Sequence, residues 1–533
     1  MVVIEGLILR RAPARNAVAL TNFDARLQTM IACYTDTLSV FPGERFALHA
    51  SADKGPCRLE IARVGASRDV VTVEGNIAVG NHPTPSNADR DGCGWPVAHT
   101  VETGDWKSGY YDIALTDSAG ETAHHFVCVK ARTKSRAVLV LTTNTLHAYN
   151  WWGGANAYCD VTSLMTGKLK MPDAMARGIG RLSALRPFTQ MLLAPPDDVP
   201  RLVNARKRGF KEKSWAGENP DWSRAHGVSP YDASAGFLNR WEHAFVRWAE
   251  GEGLTFDYLT DRDLDSEPSA LDGYDCAFLV GHSEYWSGPQ RDVIEAFVDR
   301  GGKLAIFSGN TAFWKVRWDS DTMVCHKWAG QTAEDVAPKD ATHLWSHPMF
   351  ARPEAGITGL SFIYGGYHRL GLCAARGVGG YTVYRDKHWA LEACDLFYGD
   401  VIGDALPLIG YENDGCLFEF DVDGLPAPLP GLGVPKNLEI IAFAPAAFGE
   451  PADNPYRPLI PPEQLGIVAR IAYGSDNAAT QARVTRGHAV MASFKRGEGE
   501  VFNGGTTEWA HGLSANDPFV VQITRNVVKR FLA

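Results

Sequence analysis

From about residue 30 to residue 132 the chain alternates short apolar-rich runs with turn residues. Residues 35–49 read as two strands, TDTLSV and RFALHA, joined through Phe41-Pro42-Gly43-Glu44. Similar runs occupy residues 58–64, 70–73, 109–116 and 124–129, and Asp117-Ser118-Ala119-Gly120 makes a hairpin turn between the last two. Short strands punctuated at this interval predict a β-sandwich module over residues 1–132. After Arg132 the pattern changes. AVLVL at residues 137–141 is apolar throughout, as expected for a strand buried on both faces. Residues 143–230, rich in Trp, Gly, Pro and Asn, read as long ordered loops. Residues 238–251 repeat apolar side chains at helical spacing (Leu238, Trp241, Ala244, Phe245, Trp248).

A strand at 254–259, a strand at 276–281, a helix at 289–300 and a strand at 304–308 follow. Pro289 suits a first helical turn, Val293, Ile294, Phe297 and Val298 share one face, and Gly301-Gly302 ends the helix. Strand, helix and strand with short links form a βαβ unit, so the sheet is expected to be parallel. Residues 311–435 lose this rhythm and read as an insertion. The sheet resumes at 438–443, 489–494 and 500–504, and an amphipathic helix closes the chain at 519–532. The expected fold class is α/β, with the β-sandwich followed by a parallel-sheet domain at residues 133–533.

Open parallel sheets bind ligands beyond the carboxyl ends of their strands. Residues 142–152, 282–287, 310–318 and 506–511 occupy those ends and hold many of the chain's His, Trp, Asn and Tyr residues. Trp151-Trp152-Gly153-Gly154 fits a core wall or an aromatic pocket side equally well.

A length of 533 residues fits about two to four domains. With 45% hydrophobic and 21% charged residues, disorder is excluded. A net charge of −10 without basic blocks argues against nucleic-acid binding. No apolar run reaches the roughly 20 residues of a bilayer-spanning helix. MVVIEGLILRRAPARN places its apolar stretch before its arginines, the reverse of a secretory signal, so a cytoplasmic protein is expected. The 10 cysteines are scattered without a C-x-x-C pair, which removes a zinc ribbon or disulfide scaffold and predicts buried thiols. Neither Cys276 nor Cys325 occupies a nucleophile elbow, and G-x-S-x-G is absent. Metal-activated water therefore becomes the main hydrolytic route, yet no HExxH-type cluster selects ligands.

Several segments, in order along nearly the whole chain, resemble the large (β) subunit of N,N-dimethylformamidase. They are CYTDTLSVFPGERFALHAS, WKSGYYDIALTDSAG, LVLTTNTLHAYNWWGG, LVGHSEYWS, AFVDRGGKLAIFSGNTAFWKVRW, DTMVCHK, LIGYENDG and VFNGGTTEWAHGL. The family's additional lectin-like domain has no counterpart, because residue 132 leads straight into the first catalytic strand.

The resemblance implies a glutamine-amidotransferase-like, flavodoxin-like sheet and an amidohydrolase. It also implies a mononuclear iron held by two tyrosines and a glutamate. The first tyrosine falls on Tyr285 and the glutamate on Glu412, while the second tyrosine position carries His326. One anionic ligand fewer weakens the preference for ferric iron and admits Fe(II) or zinc. The family's general base falls on Glu508, expected to deprotonate a water, while the metal and donors such as Asn310 or His282 stabilise the oxyanion; His282 is also a candidate to support or replace a metal ligand. A separate small subunit, hetero-oligomers and a small N-substituted amide substrate are implied as well. Read without the resemblance, Tyr285 is a packed aromatic and His326 a satisfied histidine. Glu412 is then a carboxylate beside a turn, and Glu508 a cap. Two other classes stay open: a non-catalytic or carbohydrate-binding protein on the same sheet, and a Cys-dependent amidotransferase.

Overall fold

The computed structural model describes residues 31–158, 160, 179–188, 241–329, 334–367, 380–404, 408–410, 412–448 and 462–533. The chain is a mixed α/β protein with several sheets. Leu238 and most of residues 143–230 lie outside the described residues, as does the N-terminal stretch.

The N-terminal strands form two sheets. Ala32–Thr35, Arg45–Ser51 and Val97–Glu102 make a three-stranded one. Ser39–Val40, Thr122–Val129, Gly109–Thr116, Cys57–Val64 and Arg68–Ile77 make a five-stranded one in that order. Phe46, Leu48 and Val101 from the first share an apolar core with Leu59, Ile61, Ile113 and Val127 from the second. The expected single strand at TDTLSV is split between the two sheets. The Thr35 and Thr37 hydroxyls donate to the carbonyls of Thr37 and Ser39, an alternative to ladder pairing that turns the chain.

The central elements run β1 (Ala137–Leu141), α1 (Thr143–Tyr149), α2 (Glu242–Gly251), β2 (Asp257–Thr260), α3 (Asp261–Ser266), β3 (Cys276–Gly281), α4 (Gly288–Asp299) and β4 (Lys303–Ser308). They continue through β5 (Tyr381–Val383), β6 (Val401–Ile402), β7 (Glu439–Ala446), β8 (Gly487–Arg496), β9 (Gly499–Asn503), α5 (Trp509–Ser514) and α6 (Pro518–Phe531). The strands join in the order β2-β1-β3-β4-β9-β8-β7-β5-β6.

The expected parallel sheet covers the first five of these strands, and the remaining four pair antiparallel. A turn at Gly497-Glu498, with Gly497 at φ 55, links β8 to β9 and is too short for a crossover. The stretch 311–435 is not wholly outside the sheet, since it supplies β5 and β6. The helix α1 was not expected from its sequence. The strand placed at 254–259 begins only at Asp257.

Both faces of the parallel strands are covered, which explains their unbroken apolar runs. Alternate residues point to opposite faces. Leu139, Phe278 and Phe307 pack with Phe245 of α2, Trp509 of α5 and Ile523 of α6. Val138, Leu279 and Ile306 pack with Val293, Ile294 and Phe297 of α4. Trp241, Trp286, Trp345 and Trp509 are fully buried, and Trp152 packs edge-on against Trp95 at 5.7 Å. The wall reading therefore describes Trp152. All eight described cysteines are buried and free.

His125 and His147 flank the Phe188 ring at 5.1 and 5.2 Å. Burial pushes them down to about 4 and about 3, so both are neutral in the fold. In the unfolded chain they protonate below about 6.5. Their stabilisation is complete above pH 6.5 and is lost as pH falls toward 4, at up to about 1.4 kcal/mol per pH unit per group. The denaturation midpoint is thus expected to fall between pH 7 and pH 5, and His147→Phe to flatten that decline. An unchanged slope in the variant would show that these histidines do not set it.

Candidate functional site

The carboxyl ends of the parallel strands converge on one buried network. His282 and Glu284 follow β3, and Tyr285 opens the short strand Tyr285–Ser287, which pairs with Trp314–Asp319. Backbone bonds hold this segment: Trp314 N donates to Glu284 O at 2.9 Å and Glu284 N to Thr145 Oγ1 at 3.1 Å. Beneath it, Asn144 Nδ2 donates to Tyr285 O, and Gln290 Nε2 donates to Asp261 Oδ1 at 2.7 Å. Ser287 caps α4 through a capping box with Gln290, which fixes where the loop enters the helix.

Glu412 arrives from the middle of the chain on Glu412–Gly415, which pairs with Ser361–Tyr367. Thr507 N donates to Glu412 O at 3.1 Å, tying it to the end of β9. Gly309 is required at this crossing. A Cβ there would lie 2.3 Å from Glu412 O and 2.6 Å from Thr507 N, both backbone atoms.

His282 is the hub. Its Nε2 lies 3.1 Å from Glu284 Oε2 and 3.0 Å from Glu412 Oε2, and its Nδ1 lies 3.2 Å from the Gly309 carbonyl. Both ring nitrogens face acceptors, which is the arrangement of an imidazolium. Burial opposes that charge, but Glu412 and Glu284 outweigh it and raise the histidine to about 10. Burial likewise works against the Glu284 carboxylate, and His282 overcomes it, holding the group below its ordinary value.

Glu284 also accepts from Tyr149 at 3.0 Å and from Tyr158 at 3.0 Å, while Tyr285 donates to the Tyr158 hydroxyl at 2.7 Å. Asn310 Nδ2 donates to Glu412 Oε2 at 3.3 Å, with Asn310 held at φ 53. His282, Asn310, Tyr285 and Glu412 are therefore brought into one network.

Glu508 is the N-cap residue of α5, at the end of the same sheet. It meets the Thr507 hydroxyl at 3.3 Å and His511 Nδ1 at 2.5 Å. His326 goes elsewhere. Its Nε2 lies 3.1 Å from Glu334, which also pairs with Arg317 and Arg181. The next residue, Lys327, turns inward instead, with its Nζ over the Tyr158 ring. The strand Thr322–Val324 ends before this pair, and Lys327, at φ 49, opens a 3-10 turn, so strand alternation does not decide which of the two side chains faces inward.

Tyr149, Tyr158, Glu284 and Lys327 were not singled out from the sequence. Tyr149 and Glu284 do stand in segments assigned to strand ends. An iron or zinc ion held by Tyr285, His326 and Glu412 does not fit this arrangement, because His326 is spent on a surface ion-pair cluster. Two cations, His282 and Lys327, already lie among the remaining oxygen donors. Among the described residues, no group of three or more His, Cys, Asp and Glu side chains is arranged to hold a metal ion. The network as it stands can relay protons and stabilise charge on a small polar molecule.

A family model described as N,N-dimethylformamidase beta subunit-like, C-terminal, matches residues 58–521. No curated protein matches. Among solved structures, a cycloisomaltooligosaccharide glucanotransferase from Paenibacillus sp., complexed with cycloisomaltoheptaose, is 13% identical at a TM-score of 0.15. That match covers 23% of this chain and 18% of that one, so it spans under a fifth of the other protein and carries no argument. Among the described residues, no helix is long and apolar enough to cross a membrane.

Proposed function

The chain belongs to the N,N-dimethylformamidase beta subunit-like family, and from that premise we propose that it hydrolyses the C–N bond of a small N-substituted amide. The observation that carries this reading is His282 held between Glu284 and Glu412 at the carboxyl end of the sheet. Glu412 takes a proton from water, whose oxygen bonds to the amide carbon. Donors around Glu284 meet the developing oxyanion. The imidazolium of His282 protonates the nitrogen as the C–N bond breaks, Glu412 returns its proton to His282, and an acid and an amine leave. Glu508, one hydroxyl away from the Glu412 backbone, orients His511 and the start of α5.

The family's beta-subunit designation supports a partner subunit, so we assign this chain the role of large subunit in a cytoplasmic hetero-oligomer. The two N-terminal sheets are read as a sandwich, and the nine-stranded sheet as amidotransferase-like.

Amine release from N-methylformamide, N,N-dimethylformamide and N-methylacetamide tests the reading, with turnover of at least one expected. A second reading, a non-catalytic protein whose polar network stabilises its core, is favoured by one observation: His282, Glu284, Tyr285 and Glu412 are all at most 3% exposed. Release of no amine from any amide would decide for it.

A further inference from the structure

Lys327 is a cation in an unusual place. It is 7% exposed, stands at φ 49, and its Nζ makes no hydrogen bond among the described residues. The Nζ sits 2.9 Å from the Tyr158 ring centroid, 5.1 Å from that of Tyr285 and 5.0 Å from that of Trp314. Aromatic faces attract an ammonium but leave its N–H donors unfilled. Burying an ammonium without acceptors is costly, and so is left-handed backbone at a residue with a long side chain. Both costs are borne at the edge of the Tyr158–Glu284–His282–Glu412 network.

The charges there also balance. Two carboxylates, Glu284 and Glu412, stand against two cations, His282 and Lys327, so the network is matched to a neutral ligand. The implied iron set is incomplete at His326, one residue away, where the chain turns Lys327 inward instead.

We propose that the Lys327 ammonium donates to the carbonyl oxygen of the amide. It thereby supplies a positive charge that polarises the carbonyl and stabilises the tetrahedral oxyanion. This rests on the amidase reading and deepens it, and no bond to Lys327 is formed or broken. The chemical class it selects is an uncharged amide with an unhindered carbonyl oxygen.

The test compares wild type with Lys327→Met and Lys327→Arg. Two measurements are made: steady-state kinetics on the cleaved amide, and equilibrium binding of N-methylacetamide read from tryptophan fluorescence. Lys327→Met is expected to lower kcat at least 100-fold and to raise KM at least tenfold, since the lost donor holds the carbonyl oxygen in the bound substrate as well as in the transition state. Lys327→Arg, which keeps a cationic donor, is expected to recover at least tenfold of that loss. N-methylacetamide should bind at least tenfold more weakly to the methionine variant. Transition-metal content below 0.1 equivalent is expected in all three proteins.

The inference is overturned if Lys327→Met keeps more than half of kcat and binds the probe like wild type. It is also overturned if wild type carries a stoichiometric metal whose removal abolishes turnover. If the methionine variant does not fold, the arginine variant decides: loss of its kcat to background rejects the donor role. Should wild type cleave no amide, the amidase reading fails by itself, and the probe-binding comparison still judges Lys327.

Discussion

Glu412→Gln is expected to lower kcat on the cleaved amide by about 10²–10⁴-fold, the usual effect of losing a positioned proton-transfer group. The reason is geometric. Glu412 is a carboxylate on His282 Nε2 at 3.0 Å, braced by Asn310 on the same oxygen. Glutamine keeps the shape but cannot accept a proton from water. Its backbone bonds to Thr507 do not depend on the side chain, so near-ultraviolet circular dichroism should match wild type. Glu508→Gln is expected to cost less than about tenfold, because its carboxylate contacts Thr507 and His511. If the two variants rank in the opposite order, the base is Glu508 and Glu412 is a support.

Arg186→Met is expected to destabilise the protein by more than about 3 kcal/mol, read from the midpoint of urea unfolding. Arg186 is 1% exposed and, among the described residues, donates only to carbonyl oxygens. Its Nε bonds Ser183 O at 3.0 Å and its Nη2 bonds Asn150 O at 2.9 Å, while Nη1 meets the carbonyls of Trp152 and Ala155. Methionine fills much of the volume but removes the donors that meet four carbonyl oxygens. Burial draws the guanidinium down to about 10, partly offset by the nearby Asp89 carboxylate, so it remains charged at neutral pH.

Three of these carbonyls, on Asn150, Trp152 and Ala155, lie in the segment that leaves α1 between Tyr149 and Tyr158, so the loss should extend to turnover. Arg186→Lys, with three donors and no fork, should fall between wild type and methionine. A loss under about 1 kcal/mol for Arg186→Met would mean that water replaces the guanidinium at those carbonyls.

Local pattern was enough to find the elements that depend on it. The apolar runs at 137–141, 276–281 and 304–308, and the helix ending at Gly301-Gly302, fold as their periodicity predicts. Burial on two faces writes itself into consecutive residues. Antiparallel pairing on one side of the sheet was not read, although FKRGEGEVF holds the short turn that requires it. The helix α1 was hidden because its seven residues, TNTLHAY, are mostly polar yet all buried, so no amphipathic stripe marks the helix.

The sequence alone determined that this is an α/β chain whose polar and aromatic residues collect after the strands, and its motifs placed it in its family. Tyr285, Glu412, His282 and Asn310 were legible because each stands at or beside a strand end, where a backbone leaves the core. Only the tertiary structure decided which side chains meet. His326 and Lys327 are adjacent and both basic, and nothing in the order of letters says which faces inward. The fold settles it by giving His326 to Glu334 and placing Lys327 among Tyr158, Tyr285 and Trp314. Glu284 and Glu412 are 128 residues apart in the chain (412 − 284) and share one imidazole because β3 and β9 both border β4. Such contacts depend on strand order and on the direction of each side chain, and neither is a local property of the chain.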